Sequence, residues 1–253
     1  MQGGPGGAVF SKSAPPGRRR QKTYEVIMKL RSQLKIYKIL IFVLGFLAII
    51  SKGKAQAIFP DVPDKIETKA KFLFYLHGRI VEIKGIRPIS EIFGAYEYEK
   101  ILEALKDRGF MVISEARGRN THAGQYAQKV VSQVNRLLQA GVPPANITVV
   151  GASKGAFIAM MVSTMLQNKE VNFVFLAGCA DSIRKFDLNF YGNILSIYDE
   201  KDQLVGSCQS FFTQSTGISR HKEIKLKVGT GHGIVYKPLK EWIDPVVEWA
   251  EGK

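Results

Sequence analysis

Between residues 72 and 250 the chain alternates short, uninterrupted apolar runs with longer stretches of helical period, most of them closed by glycine or proline. The runs are Phe72–Leu76, Phe110–Ser114, Ile147–Val150, Val171–Ala177, Asn193–Tyr198 and Glu223–Val228, and they read as strands. Helices are expected over Tyr96–Arg108, Gly124–Ala140 and Lys154–Gln167, with two more near Leu204–Phe212 and Leu239–Ala250. Most of these strands are apolar at successive positions, so they must be covered on both faces. A sheet of parallel strands with helices packed on either side meets that demand. The expected fold class is therefore α/β, a mostly parallel central sheet with right-handed crossovers, formed by residues 58–253 as one domain.

Charge divides the chain at the same boundary. The formal net charge is +14, from 36 Lys+Arg against 22 Asp+Glu, but residues 1–57 hold eleven of the basic residues and one of the acidic. About four charges of excess remain on residues 58–253, so the basic balance does not point to nucleic acid. Residues 1–17 are rich in Gly, Pro and Ser, and they are expected to be disordered. A basic stretch then leads into twelve apolar or glycine residues, Ile39–Ile50, followed by Ala55-Gln56-Ala57. That order is a signal peptide's, with cleavage before Ile58 and export to a periplasmic or secreted location. The alternative is an uncleaved inner-membrane anchor over residues 39–50, although twelve residues fall short of the ~20 that span a bilayer. Two starts also stay open, Met1 and Met28, the second opening the more ordinary signal sequence.

The sharpest local motif is Gly151-Ala152-Ser153-Lys154-Gly155, a G-x-S-x-G pattern between the strand ITVV and an apolar helix. Glycines there permit a sharp strand-to-helix turn that lifts a serine hydroxyl to the carboxyl end of the sheet, above a helix N-terminus. Three other elements are spaced along the chain: Leu76-His77-Gly78 after an early strand, Tyr198-Asp199-Glu200-Lys201-Asp202 after a late one, and Gly231-His232-Gly233 after the last. With these four elements, residues 70–250 resemble the α/β-hydrolase family. The resemblance implies Ser153 as nucleophile, Asp202 as the acid and His232 as the base, in the family's chain order. Asp199 stands where the family usually has glycine, and Asp181 lies where some relatives supply the acid, so both remain alternatives to Asp202. The backbone N–H groups of Lys154 and Arg79 would form the oxyanion site, with His77 structural and His122 and His221 on the surface.

Arg79, Arg117, Arg119 and Lys154 all follow the carboxyl ends of strands, where α/β sheets keep their sites. Arg117 and Arg119 are candidate binders of an anionic substrate. The competing reading pairs these cations with Glu82, Glu115 and Asp181. Cys179 and Cys208 follow strands expected to be neighbours, so either a disulfide or two buried thiols is open. The chain has no metal-ligand spacing and no phosphate-cradling glycine loop, and no cofactor is expected. The short stretch between Gly178 and Asn193 leaves little room for a lid. Taken together, the resemblance implies an exported serine hydrolase acting on a small-molecule ester, thioester or amide of modest size. A non-catalytic binding protein on the same scaffold is the alternative.

Overall fold

The computed structural model describes residues 57–253 and, ahead of them, only Gly6, Met28 and Leu30. The expected disordered stretch, the signal peptide or anchor and its cleavage motif lie outside the described residues, Ala57 excepted. Among the described residues no helix is long and apolar enough to cross a membrane.

The central sheet has seven strands, all parallel: β1 (Ile58–Phe59), β2 (Lys71–Leu76), β5 (Phe110–Ile113), β6 (Ile147–Ala152), β7 (Asn172–Leu176), β8 (Tyr191–Asp199) and β9 (Gly217–Leu226). Their order is β1-β5-β2-β6-β7-β8-β9, and a two-residue pair, β3 (Ile89–Ser90) with β4 (Gly94–Ala95), forms a separate hairpin. The helices are α1 (Arg79–Lys84), α2 (Tyr98–Asp107), α3 (Ala123–Gln139), α4 (Lys154–Leu166), α5 (Gln209–Gln214) and α6 (Lys240–Ala250).

Each face of the sheet has its own apolar core, because successive strand side chains point to opposite sides. Phe72, Phe74 and Leu76 of β2 pack into a cluster with residues of α3 and α4. Leu73 and Tyr75 face the other way, into a cluster with residues of α2 and α6. This two-sided burial is what the continuous apolar runs demanded. The expected α/β class is thus the observed one, with a sheet that is wholly rather than mostly parallel.

The chain runs from β2 outward to β5, then returns to the far side of β2 as β6. The strand order therefore reverses beside β2, and the loops after β2 and β6 open a crevice at the carboxyl edge, where such sheets bind ligands. Several elements differ from the sequence expectation. The helix expected near Leu204–Phe212 begins later, as α5 at Gln209, and residues 204–208 are a loop. The short β1, the β3–β4 hairpin and α1 carry too few residues to display a period, so they were invisible to pattern.

Candidate active site

Ser153 sits between β6 and α4 with φ 53° and ψ −116°, outside the regions that ordinary residues prefer. The turn is held by close approach. A Cβ on Gly151 would fall 2.2 Å from the Gly155 carbonyl oxygen, and one on Gly155 would fall 1.8 Å from that of Leu76. Both motif glycines are thus needed to seat the helix against the strand, and the Ser153 N–H donates to Leu176 O on β7 at 2.9 Å. Strain of this kind persists only where the surroundings over-determine it.

His232 lies in a two-turn 3-10 helix, Gly231–Tyr236, whose Ile234, Val235 and Tyr236 are buried and anchor it. Its Nε2 is 2.8 Å from Ser153 Oγ, and its Nδ1 is 2.8 Å from Asp202 Oδ2. The Asp202 side chain is fully buried and that of His232 is 12 % exposed, so the pair is largely shielded from water. The other Asp202 oxygen accepts the N–H groups of Leu204 and Val205 at 2.9 and 3.3 Å, which fixes the carboxylate at the turn. Asp181 is on the surface, 96 % exposed and bonded to Arg184, and takes no part in this chain of contacts.

Asp199, the last residue of β8, plays a part that no local pattern could announce. It is buried, and it accepts four backbone N–H groups: Lys201 and Gly231 at 2.9 and 3.0 Å on one oxygen, Val228 and Gly229 at 2.9 Å each on the other. One carboxylate therefore ties the loop of Asp202 to the loop of His232. Burial alone would raise its pKa, but the four N–H bonds outweigh that and hold it below the usual carboxylate range. A depressed folded pKa stabilises the protein above the unfolded value, near pH 4, and that contribution is lost as pH falls through the folded pKa. Asp199→Ala should lower stability at pH 7 by at least about 2 kcal/mol, since four N–H groups lose their acceptor. It should also flatten the acid limb of a plot of Tm against pH; equal acid slopes for both proteins would contradict this role.

The Leu76-His77-Gly78 turn is built on a buried polar network. His77 Nδ1–H donates to Gly78 O at 2.8 Å and its Nε2 accepts the Arg117 N–H at 2.8 Å, a set of partners that suits the neutral ring. Burial, reinforced by the Arg117 charge, depresses the imidazole pKa to about 3, so it stays neutral. Tyr96 Oη accepts the Gly78 N–H at 3.2 Å, and the Tyr75 hydroxyl lies 2.8 Å away. The N–H groups of Arg79 and Lys154 at the starts of α1 and α4 have no acceptor among the described residues, which leaves them available to an oxyanion.

Arg117 corrects an expectation. Its side chain is fully buried, with Nε donating to Glu82 Oε1 at 2.8 Å and a second guanidinium nitrogen to the His77 carbonyl, so it cannot meet a substrate. Lys154 Nζ takes the other Glu82 oxygen at 2.5 Å. Glu82, itself 3 % exposed, thereby clamps the two walls of the oxyanion site: directly at Lys154, and through Arg117 at His77. Removing one partner of a buried ion pair strands the other's charge. Glu82→Ala should therefore destabilise the protein by about 3 kcal/mol or more, a loss measurable by urea unfolding. Glu115 pairs instead with Lys129.

Cys179 and Cys208 are joined by a disulfide, their Cα atoms 5.3 Å apart, so the loop that carries Asp202 is tied at its end to the loop after β7. His122 caps α3 and His221 is exposed on β9, both away from this centre.

The strained serine at the turn after β6 and the chain order Ser153, Asp202, His232 are the features by which the sequence resembles α/β-hydrolases. No family model matches the chain, and no curated protein does. Among solved structures it is similar to SOBER1 of Arabidopsis thaliana, at 12% identity and a TM-score of 0.48 over 73% of this chain and 99% of that one. It is also similar to a protein of Xanthomonas campestris pv. campestris described as a hydrolase of the alpha/beta superfamily, at 12% identity and a TM-score of 0.47 over 72% and 99%. Est1E of Butyrivibrio proteoclasticus, solved with ferulic acid bound, gives 12% identity and a TM-score of 0.47 over 76% and 91%.

Proposed function

We propose that the protein is a serine hydrolase that cleaves a carboxylic ester, thioester or amide of modest size through an acyl-enzyme. The observation that carries this reading is the unbroken chain Ser153 Oγ to His232 Nε2 to Asp202, 2.8 Å at each link, with the serine on a strained turn beside two backbone N–H groups that have no acceptor among the described residues. A serine hydroxyl attacks a carbonyl only if a base takes its proton. His232 Nε2 takes it, and Asp202 keeps the imidazole proton on Nδ1 and stabilises the imidazolium. The carbonyl oxygen, now negative, is held by the N–H groups of Lys154 and Arg79. Collapse of the tetrahedral species returns the proton from Nε2 to the leaving group and leaves Ser153 acylated. Water then attacks with His232 again as base, which releases the acid and restores the serine. The whole sequence is hydrolysis by side chains and backbone of this chain.

The basic N-terminal stretch, its twelve apolar residues and the Ala55-Gln56-Ala57 motif support export of this activity, with cleavage before Ile58. N-terminal sequencing of protein recovered from outside the cytoplasm tests that part; an intact N-terminus would turn the reading to an anchor.

A neutral fluorophosphonate probe applied to the full chain tests the chemistry. The expected result is one stoichiometric adduct, mapped by peptide mass to Ser153. Folded protein that takes no label would overturn the hydrolase reading in favour of a binding protein.

A further inference from the structure

The candidate site opens into a cleft of about 710 Å³, a size that suits a small ligand. Its apolar lining includes Phe157, Ile183, Leu204 and Val205. Leu204 is 63 % exposed and Ile183 is buried, so the apolar lining reaches from solvent into the fold. Arg79, Arg119, Asn120 and Lys154 line the cleft as well. Glu82 is the one carboxylate among its described lining residues, and it is already engaged by both Arg117 and Lys154. Asp181 and Glu115, which follow the ends of β7 and β5, pair with Arg184 and Lys129. Arg79 and Arg119 are left with no acidic partner among the described residues, although both border the cleft beside Ser153.

Arg119 is not on a loose loop. On one flank, Arg117 is bonded through its N–H to His77 and through its side chain to Glu82. On the other flank, the Thr121 carbonyl accepts Lys154 Nζ at 2.9 Å and the Thr121 hydroxyl donates to Gly118 O at 2.8 Å. Between these clamps Asn120 is held at φ 62°, a conformation that a non-glycine residue seldom takes without support. The same ion cluster that fixes the oxyanion walls thus sets the backbone on both flanks of Arg119 at the cleft, and an uncompensated guanidinium there binds carboxylate or phosphate groups well.

We propose that this cleft selects an anionic amphiphile: an ester or thioester whose apolar part lies on Phe157, Ile183 and Leu204 and whose carboxylate or phosphate pairs with Arg79 and Arg119. This rests on the hydrolase reading above and adds the substrate class to it.

The test compares 4-nitrophenyl esters of equal length on the full chain: the adipic acid monoester against the neutral hexanoate, and the butyrate of a sulfonated nitrophenol against its unsulfonated counterpart. One pair carries the charge on the acyl side, the other on the leaving side. Wild type should prefer the anionic member of at least one pair by about 10-fold or more in kcat/KM, the scale of a charge-assisted contact. That ratio should fall to near one in Arg79→Ala/Arg119→Ala and invert in Arg119→Glu, with Arg119→Lys restoring part of it and 0.5 M salt weakening it. Calorimetry of the same esters on Ser153→Ala, with and without the arginine substitutions, reads the contact without turnover. Wild type that labels with fluorophosphonate and cleaves both members of each pair equally would overturn the anion proposal alone, as would a preference that survives in the double variant. Protein that neither labels nor cleaves any ester would overturn the hydrolase reading, and the calorimetric difference would then decide the anion site by itself.

Discussion

Ser153→Ala is expected to lower kcat for any ester the protein cleaves by about a million-fold and to abolish fluorophosphonate labelling, while leaving the melting temperature nearly unchanged. The size follows from the chemistry: among the described residues no other hydroxyl is hydrogen-bonded to His232, so the acyl-enzyme route closes when that oxygen is removed. The stability should hold because the hydroxyl's one hydrogen-bond partner among the described residues is His232, and alanine is no more strained at φ 53° than serine. Residues that act as a unit lose activity together. His232→Ala should therefore cost about as much as Ser153→Ala, and the double variant little more than either. Steady-state kinetics with a melting control checks this. Retention of a tenth or more of the activity in Ser153→Ala would assign the nucleophile elsewhere.

The second large effect distinguishes three aspartates at or just past the ends of two neighbouring strands, β7 and β8. Asp202→Asn should reduce kcat by about 10⁴-fold with the fold intact. The asparagine oxygen can still accept the Leu204 and Val205 N–H groups, but its amide then offers a donor to His232 Nδ1. The ring must carry its proton on Nε2 instead, facing Ser153, where it can no longer accept the hydroxyl proton. Asp181→Asn, on a side chain 96 % exposed, should leave kcat within about two-fold of wild type. Asp199 variants should act first on stability, through the two loops that its carboxylate joins. Parallel kinetics and unfolding curves on the three variants would separate these outcomes. An Asp202→Asn protein with near-normal turnover would defeat the assignment of the acid.

Much of the site was legible in the sequence wherever its geometry is local. The turn from β6 to α4 is carried by five consecutive residues, and each glycine in it answers to a contact within a few ångströms, so Gly151, Ser153 and Gly155 could be read directly. His232 was legible for a similar reason, as a histidine between glycines just past the last strand. Glu82 was visible only as a charge that some cation could pair with. Its weak signal was a carboxylate beside buried Val81 on a short helix, and nothing nearby in sequence names Arg117 or Lys154, 35 and 72 residues away, as its partners. Asp199 was read as a rival for the acid because it sits beside Asp202. Its four N–H partners come from two loops, three of them 29 to 32 residues distant.

The alternation of apolar runs and helical periods by itself determined an α/β sheet buried on both faces, because a strand apolar at every position has no other stable setting. It also determined which serine stands at a strand-to-helix turn. What only the tertiary structure decided is which charges meet. Asp202 rather than Asp199 reaches His232, Arg117 is consumed inside the fold, and Arg79 and Arg119 are left facing the cleft. Backbone patterning follows from burial and period, which each segment carries in its own residues. The pairing of a charge depends on the direction its side chain takes at the end of a strand and on what a loop tens of residues away brings to meet it.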